Sequence, residues 1–334
     1  MRKNYKKVNE VMIQTPSIQW FPGHMNKARN EIKEIMPDMD VVIEVIDARI
    51  PFSSENPMVA DLRNNQHGGK KPVIKILNKA DLADPELTQA WIEQLESQSQ
   101  VKAIACDDNK ANDVQKIIQL CKSLVPNKVG TGRQIKVLIM GIPNVGKSTL
   151  INTLAGRSIA KTGDEPAVTK SQQLIKIDND IMLYDTPGML WPKIENPNSG
   201  FRLAATGGIK DTAFDFSDVA GYTAEYLIKA YPELLKERYK IDELPQTDWE
   251  FFEVAGRKRG FLKKGGVVDT YRMSEILVNE LRSGQLGRIT LETPEMRVEE
   301  DKLVEALRAQ AEEKRLARIE EKKLRKKRTR KNRK

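Results

Sequence analysis

Two short stretches carry residue types whose spacing points to nucleotide chemistry. Gly141-Ile142-Pro143-Asn144-Val145-Gly146-Lys147-Ser148 has the form of a phosphate-binding loop. Its glycines let the backbone turn so that N–H groups face phosphate oxygens. Lys147 would reach the β- and γ-phosphates and Ser148 would give a hydroxyl to Mg²⁺, with Asn144, Val145, Gly146 and Thr149 lining the same cradle. Asn78-Lys79-Ala80-Asp81 has the form of a guanine-reading motif. The Asp81 carboxylate can accept from guanine N1–H and from its 2-amino group. Adenine has no such donor pair, so the carboxylate would stay buried and unpaired, at a cost of a few kcal/mol. The aliphatic stem of Lys79 would pack along the base. Ala105-Cys106 stands where a Ser-Ala pair usually offers its backbone to the base, and the departure from Ser leaves that contact open.

Further groups complete a hydrolytic site. Asp185-Thr186-Pro187-Gly188 fits an element in which Asp185 holds Mg²⁺ and the Gly188 N–H meets the γ-phosphate. Thr169, in the polar segment from Thr162 to Ser171, is expected to close the Mg²⁺ shell when triphosphate is bound. Many GTP-hydrolysing domains place Gln after the switch glycine, but here Met189 and Leu190 follow, and neither orients water. Asn144 is expected either to help bind a K⁺ that neutralises charge between the phosphates, or only to shape the loop.

The elements that must position these groups read as alternating strands and helices. The apolar runs 41–47, 73–77 and 135–140 suit buried strands. The last runs straight into the phosphate loop, with a helix from Ser148 to Leu154 beyond it. Helical patterns fall near 86–97 and 111–124, and a hairpin turning at Asp178-Asn179 delivers Asp185. This alternation predicts an α/β fold with a parallel-rich sheet covered on both faces. The guanine motif precedes the phosphate loop, the reverse of the ordinary order, which implies a circularly permuted phosphate-loop domain. After about residue 205 the pattern turns helical. One helix is expected after Ser217, one behind a capping box at Thr247–Glu250, and one over 269–281 closed by Gly284. Glu305/Arg308, Glu312/Arg315 and Glu321/Arg325 predict an exposed helix fading into the basic end.

Bulk properties bound the setting. In 334 residues, 39% are hydrophobic and 31% charged, the balance of a soluble protein. No run of about 18 apolar residues suggests a membrane span. The N-terminus shows no secretory pattern, and the only cysteines, Cys106 and Cys121, fit a reduced cytoplasm. The net charge of +9 is uneven: residues 322–334 hold ten Lys or Arg and no acid, which leaves 46 basic against 47 acidic residues elsewhere. Such a block stays extended until a polyanion neutralises it, and RNA is the expected partner; a solvated, non-specific tail is the alternative. Arg257-Lys258-Arg259 with Lys263-Lys264 forms a second basic group.

Together these motifs resemble the circularly permuted GTPases of the RbgA/YlqF type. The match runs over roughly residues 18–290 and includes Trp20-Phe21-Pro22-Gly23-His24-Met25, Val45-Ile46-Asp47-Ala48-Arg49-Ile50-Pro51 and Pro166–Lys170. Ala167 stands where that family more often has Gly, and the long basic end looks like an addition. The resemblance implies GTP hydrolysis, stimulated by rRNA, on a late precursor of the large (50S) ribosomal subunit. It also points to His24 as catalytic; an exposed histidine beside the Trp-Phe segment, with no part in the chemistry, is the other reading. The expected organisation is a polar leader at 1–19, a permuted GTP-binding domain at 20–204, a helical RNA- or ribosome-binding domain at 205–298 and a basic tail, helical or disordered, at 299–334. A monomer is expected. Two other functions remain open: a nucleotide-gated RNA-binding placeholder with incidental turnover, and a GTPase acting on tRNA or protein partners.

Overall fold

Residues 18–64, 71–107, 111–158 and 173–331 are described by the structure, a computed structural model. The apolar runs become strands buried along nearly their whole length: β1 Val41–Asp47, β2 Val73–Asn78 and, later in the chain, Ile135–Gly141. Burial of consecutive residues means that both sheet faces are covered, as expected for parallel strands. Before β1 lies α1, Gly23–Ile35, which buries Met25, Ala28 and Ile32 at helical spacing. Short helices α2 (Pro51–Ser54) and α3 (Pro57–Asn64) follow β1. After β2 come α4 (Pro85–Glu96), β3 (Val101–Ala105) and α5 (Ala111–Leu124). Then follow β4 (Ile135–Gly141), α6 (Lys147–Ala155), β5 (Gln173–Lys176) and β6 (Ile181–Asp185).

The six strands lie in the order β3-β2-β1-β4-β6-β5, all parallel except the β5–β6 hairpin. From β1 the chain runs outward through β2 and β3, then returns to place β4 on the other side of β1. The strand order therefore reverses between β1 and β4, and ligands of such sheets lie outside the carboxyl ends of the strands at that point. Both expected motifs leave carboxyl ends there: the guanine motif from β2, one strand to one side of β1, and the phosphate loop from β4 on the other.

Five α-helices lie between the sheet and residue 293: α7 Pro197–Ala205, α8 Phe216–Ala230, α9 Pro232–Tyr239, α10 Asp248–Lys258 and α11 Thr270–Arg282. Helix α8 starts earlier than its pattern implies, because Asp215 rather than Ser217 caps it, accepting from the Ser217 N–H. Thr247 caps α10 as expected, accepting from the Glu250 N–H at 3.3 Å and donating its hydroxyl to Glu250 Oε2 at 2.9 Å. Gly284, at φ +74°, ends the turn after α11.

These helices belong with the sheet to one compact unit, Met1–Thr293. Buried ion pairs join the two parts. Arg49, 1% exposed, forks onto Asp47 and reaches the Leu281, Arg282 and Thr206 carbonyls. Glu292 accepts from the buried Arg202 Nη1 at 3.2 Å and from the Phe52 N–H at 2.7 Å in partly buried surroundings. The second unit, Pro294–Lys334, holds α12, Pro294–Lys331. Its residues 308–322 are exposed, and Arg315 pairs with Glu312 as spacing predicted. No described helix is long and apolar enough to cross a membrane.

Candidate guanine-nucleotide site

The phosphate loop is shaped by two residues with positive φ, Asn144 at +57° and Gly146 at +89°. Only the glycine adopts such a conformation without steric cost, so Asn144 holds a sparsely populated one. Helix α6 starts directly behind Gly146 with no side-chain cap. Its first N–H groups therefore have no capping side chain and face the loop, the usual anion-binding arrangement. Lys147 is buried and donates to Asp185 Oδ1, while Ser148 and Thr149 stand partly exposed in the first turn. Asp185 Oδ2 is buried with no hydrogen-bond partner among the described residues.

Electrostatics at this pair are unusual. Burial pushes the Asp185 carboxyl above the usual carboxylate range, against the pull of Lys147. Burial likewise pulls the Lys147 ammonium down, against Asp185. Each charge is thus poorly compensated by the other alone. An anionic phosphate beside Lys147 and a divalent cation beside Asp185 would repair both, and the orphaned Oδ2 together with the Ser148 hydroxyl is an oxygen donor set that suits Mg²⁺. Gly188 packs against the loop so closely that a Cβ would lie 3.1 Å from Pro143 Cα, and the Met189 N–H donates to the Gly141 carbonyl. The switch glycine therefore lies against the phosphate cradle. Thr169 lies outside the described residues.

The guanine motif is tied to the same loop. Asn78 is fully buried, and its Nδ2 donates to the Val145 carbonyl at 2.9 Å. Lys79, at φ +58°, extends over the loop and donates to the Asn144 carbonyl at 2.6 Å. Two residues from one stretch thus fasten two consecutive carbonyls of the other across 65 and 67 positions of sequence. Asp81 is exposed at the tip of the turn that follows. The strand end carrying Ala105 and Cys106 closes onto that turn: the Ala80 N–H donates to the Cys106 carbonyl at 3.1 Å, and the Cys106 N–H to the Leu77 carbonyl at 2.9 Å. The Asn144 side chain donates from Nδ2 to the Gly207 carbonyl at 2.9 Å.

Sequence reasoning gave Asp47 no role and did not foresee what holds His24 in place. Asp47, at the end of β1, accepts Arg49 Nε at 2.9 Å and Nη2 at 2.8 Å, and lies 3.6 Å from Lys79 Nζ. Burial alone would raise its carboxyl, but the Arg49 and Lys79 charges overcome that and hold it at about 2. An acid closing a strand that is apolar apart from Glu44, with Arg two residues on, was the available signal. His24 is exposed on the first turn of α1. Its helix and the stretch before it are latched to the segment behind Asp185–Gly188: the Leu190 N–H meets Met25 Sδ at 3.4 Å, and Gln19, ahead of the helix, exchanges two hydrogen bonds with the Ile194 backbone. No local pattern announces those contacts. Met189 and Leu190 are buried, in keeping with their exclusion as water-orienting groups.

Comparison with known proteins agrees with this geometry. A family model described as "50S ribosome-binding GTPase" matches residues 136–243. Ribosome biogenesis GTPase A of Bacillus cereus is 48% identical over 285 residues, covering 83% of this chain and 94% of that protein. Two solved structures are also similar. GDP-bound TM YlqF gives a TM-score of 0.57 at 28% identity, covering 79% of this chain and 99% of that one. GNP-bound YlqF from T. maritima gives 0.54 at 30% identity, covering 80% and 99%. With its guanine motif ahead of its phosphate loop on a single sheet, and with this degree of identity over nearly the whole length of a relative, the chain belongs to the ribosome biogenesis GTPase A family of circularly permuted GTPases.

Proposed function

We propose that this chain hydrolyses GTP while assisting assembly of the large (50S) ribosomal subunit, binding rRNA on a subunit precursor in the GTP state and leaving on hydrolysis. The observation that carries the nucleotide part of this reading is the double tie from Asn78 and Lys79 to the carbonyls of Val145 and Asn144. It joins a base-reading turn to a phosphate cradle. The names of the relatives support the ribosomal part.

Within this reading Asp81 selects guanine, and Ala105 and Cys106 support the base from the end of β3. Lys147 holds the β- and γ-phosphates, and Ser148, Thr169 and Asp185 are the Mg²⁺ ligands. When bound, the metal neutralises phosphate charge. His24, carried on a helix fastened to the switch segment, orients or accepts a proton from the attacking water. Asn144 would give its side-chain oxygen to K⁺. The exposed cluster at Arg257, Lys258, Lys263 and Lys264, within the RNA-facing part at 205–298, and the basic end beyond residue 321 follow rRNA phosphates. The protein works as a cytoplasmic monomer with no membrane partner.

Co-sedimentation with large subunits tests this reading. With a non-hydrolysable GTP analogue the chain should pellet with the subunits, and with GDP it should stay in the supernatant. Truncation after Glu321 should weaken that binding and flatten its salt dependence. Equal pelleting in both nucleotide states would refute nucleotide-controlled binding.

A further inference from the structure

The turn that carries Asp81 is gripped from the far end of the chain. Arg288 Nε donates to the Ala83 carbonyl at 2.9 Å, and its Nη2 donates to the Ala80 carbonyl at 3.0 Å. One guanidinium therefore spans the two backbone carbonyls that bracket Asp81. Its neighbours reinforce the grip. The Ile289 N–H donates to the Leu82 carbonyl at 2.9 Å, and the Asp84 N–H donates to Thr290 Oγ1 at 3.0 Å. The Tyr231 hydroxyl donates to Asp84 Oδ2 at 3.1 Å. Gly284 approaches so closely that a Cβ there would stand 2.6 Å from Leu82 Cδ2, at a φ that already favours glycine. Ala80, Leu82, Ala83 and Asp84 are each held by residues of the helical part, while the Asp81 side chain is exposed among them.

Reading a base edge with one carboxylate needs both oxygens placed on two donors at once. An error of a fraction of an ångström in the turn loses one bond of the two. The turn's own bonds are few and include a long one, Ala83 N–H to the Ala80 carbonyl at 3.3 Å. A rigid fork across Ala80 and Ala83 is the feature that fixes where Asp81 points, and only arginine presents two donors in that fixed geometry. We propose that Arg288 is a positioning and specificity-determining residue for guanine, acting through the backbone on either side of Asp81. This inference rests on the reading of Asp81 as the guanine-selecting group.

The test compares GDP with inosine diphosphate, which lacks the 2-amino group and gives the carboxylate one donor instead of two. Both are titrated calorimetrically into the full chain, into Arg288→Ala, into Arg288→Lys and into Asp81→Asn. The Arg288→Ala variant should lower the GDP-over-inosine preference about five-fold by weakening GDP more than its analogue, with Arg288→Lys falling between it and the unaltered chain. An unchanged preference in Arg288→Ala, or an equal loss for both nucleotides, overturns the proposal, since a merely structural role would weaken both alike. Asp81→Asn separates the two readings. If it abolishes the preference while Arg288→Ala keeps it, only the role of Arg288 fails. If it keeps the preference, the reading of Asp81 fails and this inference with it.

Discussion

Two buried acids end parallel strands of this sheet on either side of β4, and they are treated in opposite ways. Asp47 ends β1 and receives a forked arginine, a backbone N–H and a nearby lysine, so that its charge is fully answered by protein. Asp185 ends β6 and receives one buried lysine, and its second oxygen has no hydrogen-bond partner among the described residues. The carboxyl of the first is held at about 2, whereas that of the second is pushed up by burial. The difference separates a rivet from a receptor. Asp47 and Arg49 fasten the sheet to the helices behind it, whereas in the proposed function the charges of Asp185 and Lys147 would be answered by a bound nucleotide and its metal. On the proposed function, buried pairs of equal appearance serve stability in one place and ligand capture in the other.

Three substitutions break or sharpen this contrast. The largest effect is expected at the receptor pair. Lys147→Ala should cut GTP turnover by about 100-fold or more, while the preference for guanine over adenine nucleotides stays within about two-fold, because the guanine turn is built elsewhere. Steady-state turnover beside competitive binding would check both halves; a lost base preference would mean the two ends are not separable. Next comes the rivet. Asp47 titrates near 2 in the fold against an ordinary 3.8. It contributes stability above about 3.8 and loses it as pH falls through its folded value, on the order of 2 kcal/mol in all. Urea unfolding across this range should show that slope in the unaltered chain and a flatter one in Asp47→Asn; identical slopes would deny the rivet role. The smallest effect is at His24. His24→Ala should lower rRNA-stimulated turnover about ten-fold with GTP affinity unchanged, and unaltered turnover would remove this side chain from the mechanism.

The parts of this architecture that were legible in sequence are those set by local rules. Residues 41–47 and 135–141 announce buried strands because apolar side chains dominate both runs, with only Glu44, Asp47 and Lys136 charged. The phosphate loop and guanine motif announce themselves because phosphate and guanine demand fixed residue types at fixed spacing. The reversed motif order was enough to infer permutation, and the strand order bears it out. Strand β3 was not foreseen: Val101-Lys102-Ala103-Ile104-Ala105 is short and lies at the sheet edge, where partial exposure erases a continuous apolar run. The contacts that assemble the site were equally invisible. Gln19 meets Ile194, Arg49 meets Leu281, and Arg288 meets Ala80 across 175 to 232 residues, and no periodicity encodes partners that far apart.

The central claim is that two stretches in reversed chain order close over one guanine nucleotide. Calorimetric titration of the chain with non-hydrolysable GTP and ATP analogues, in the presence of Mg²⁺, tests it most directly. The account predicts a single site that takes the guanine analogue at least about 100-fold more tightly. Equal affinity for the adenine analogue would contradict it.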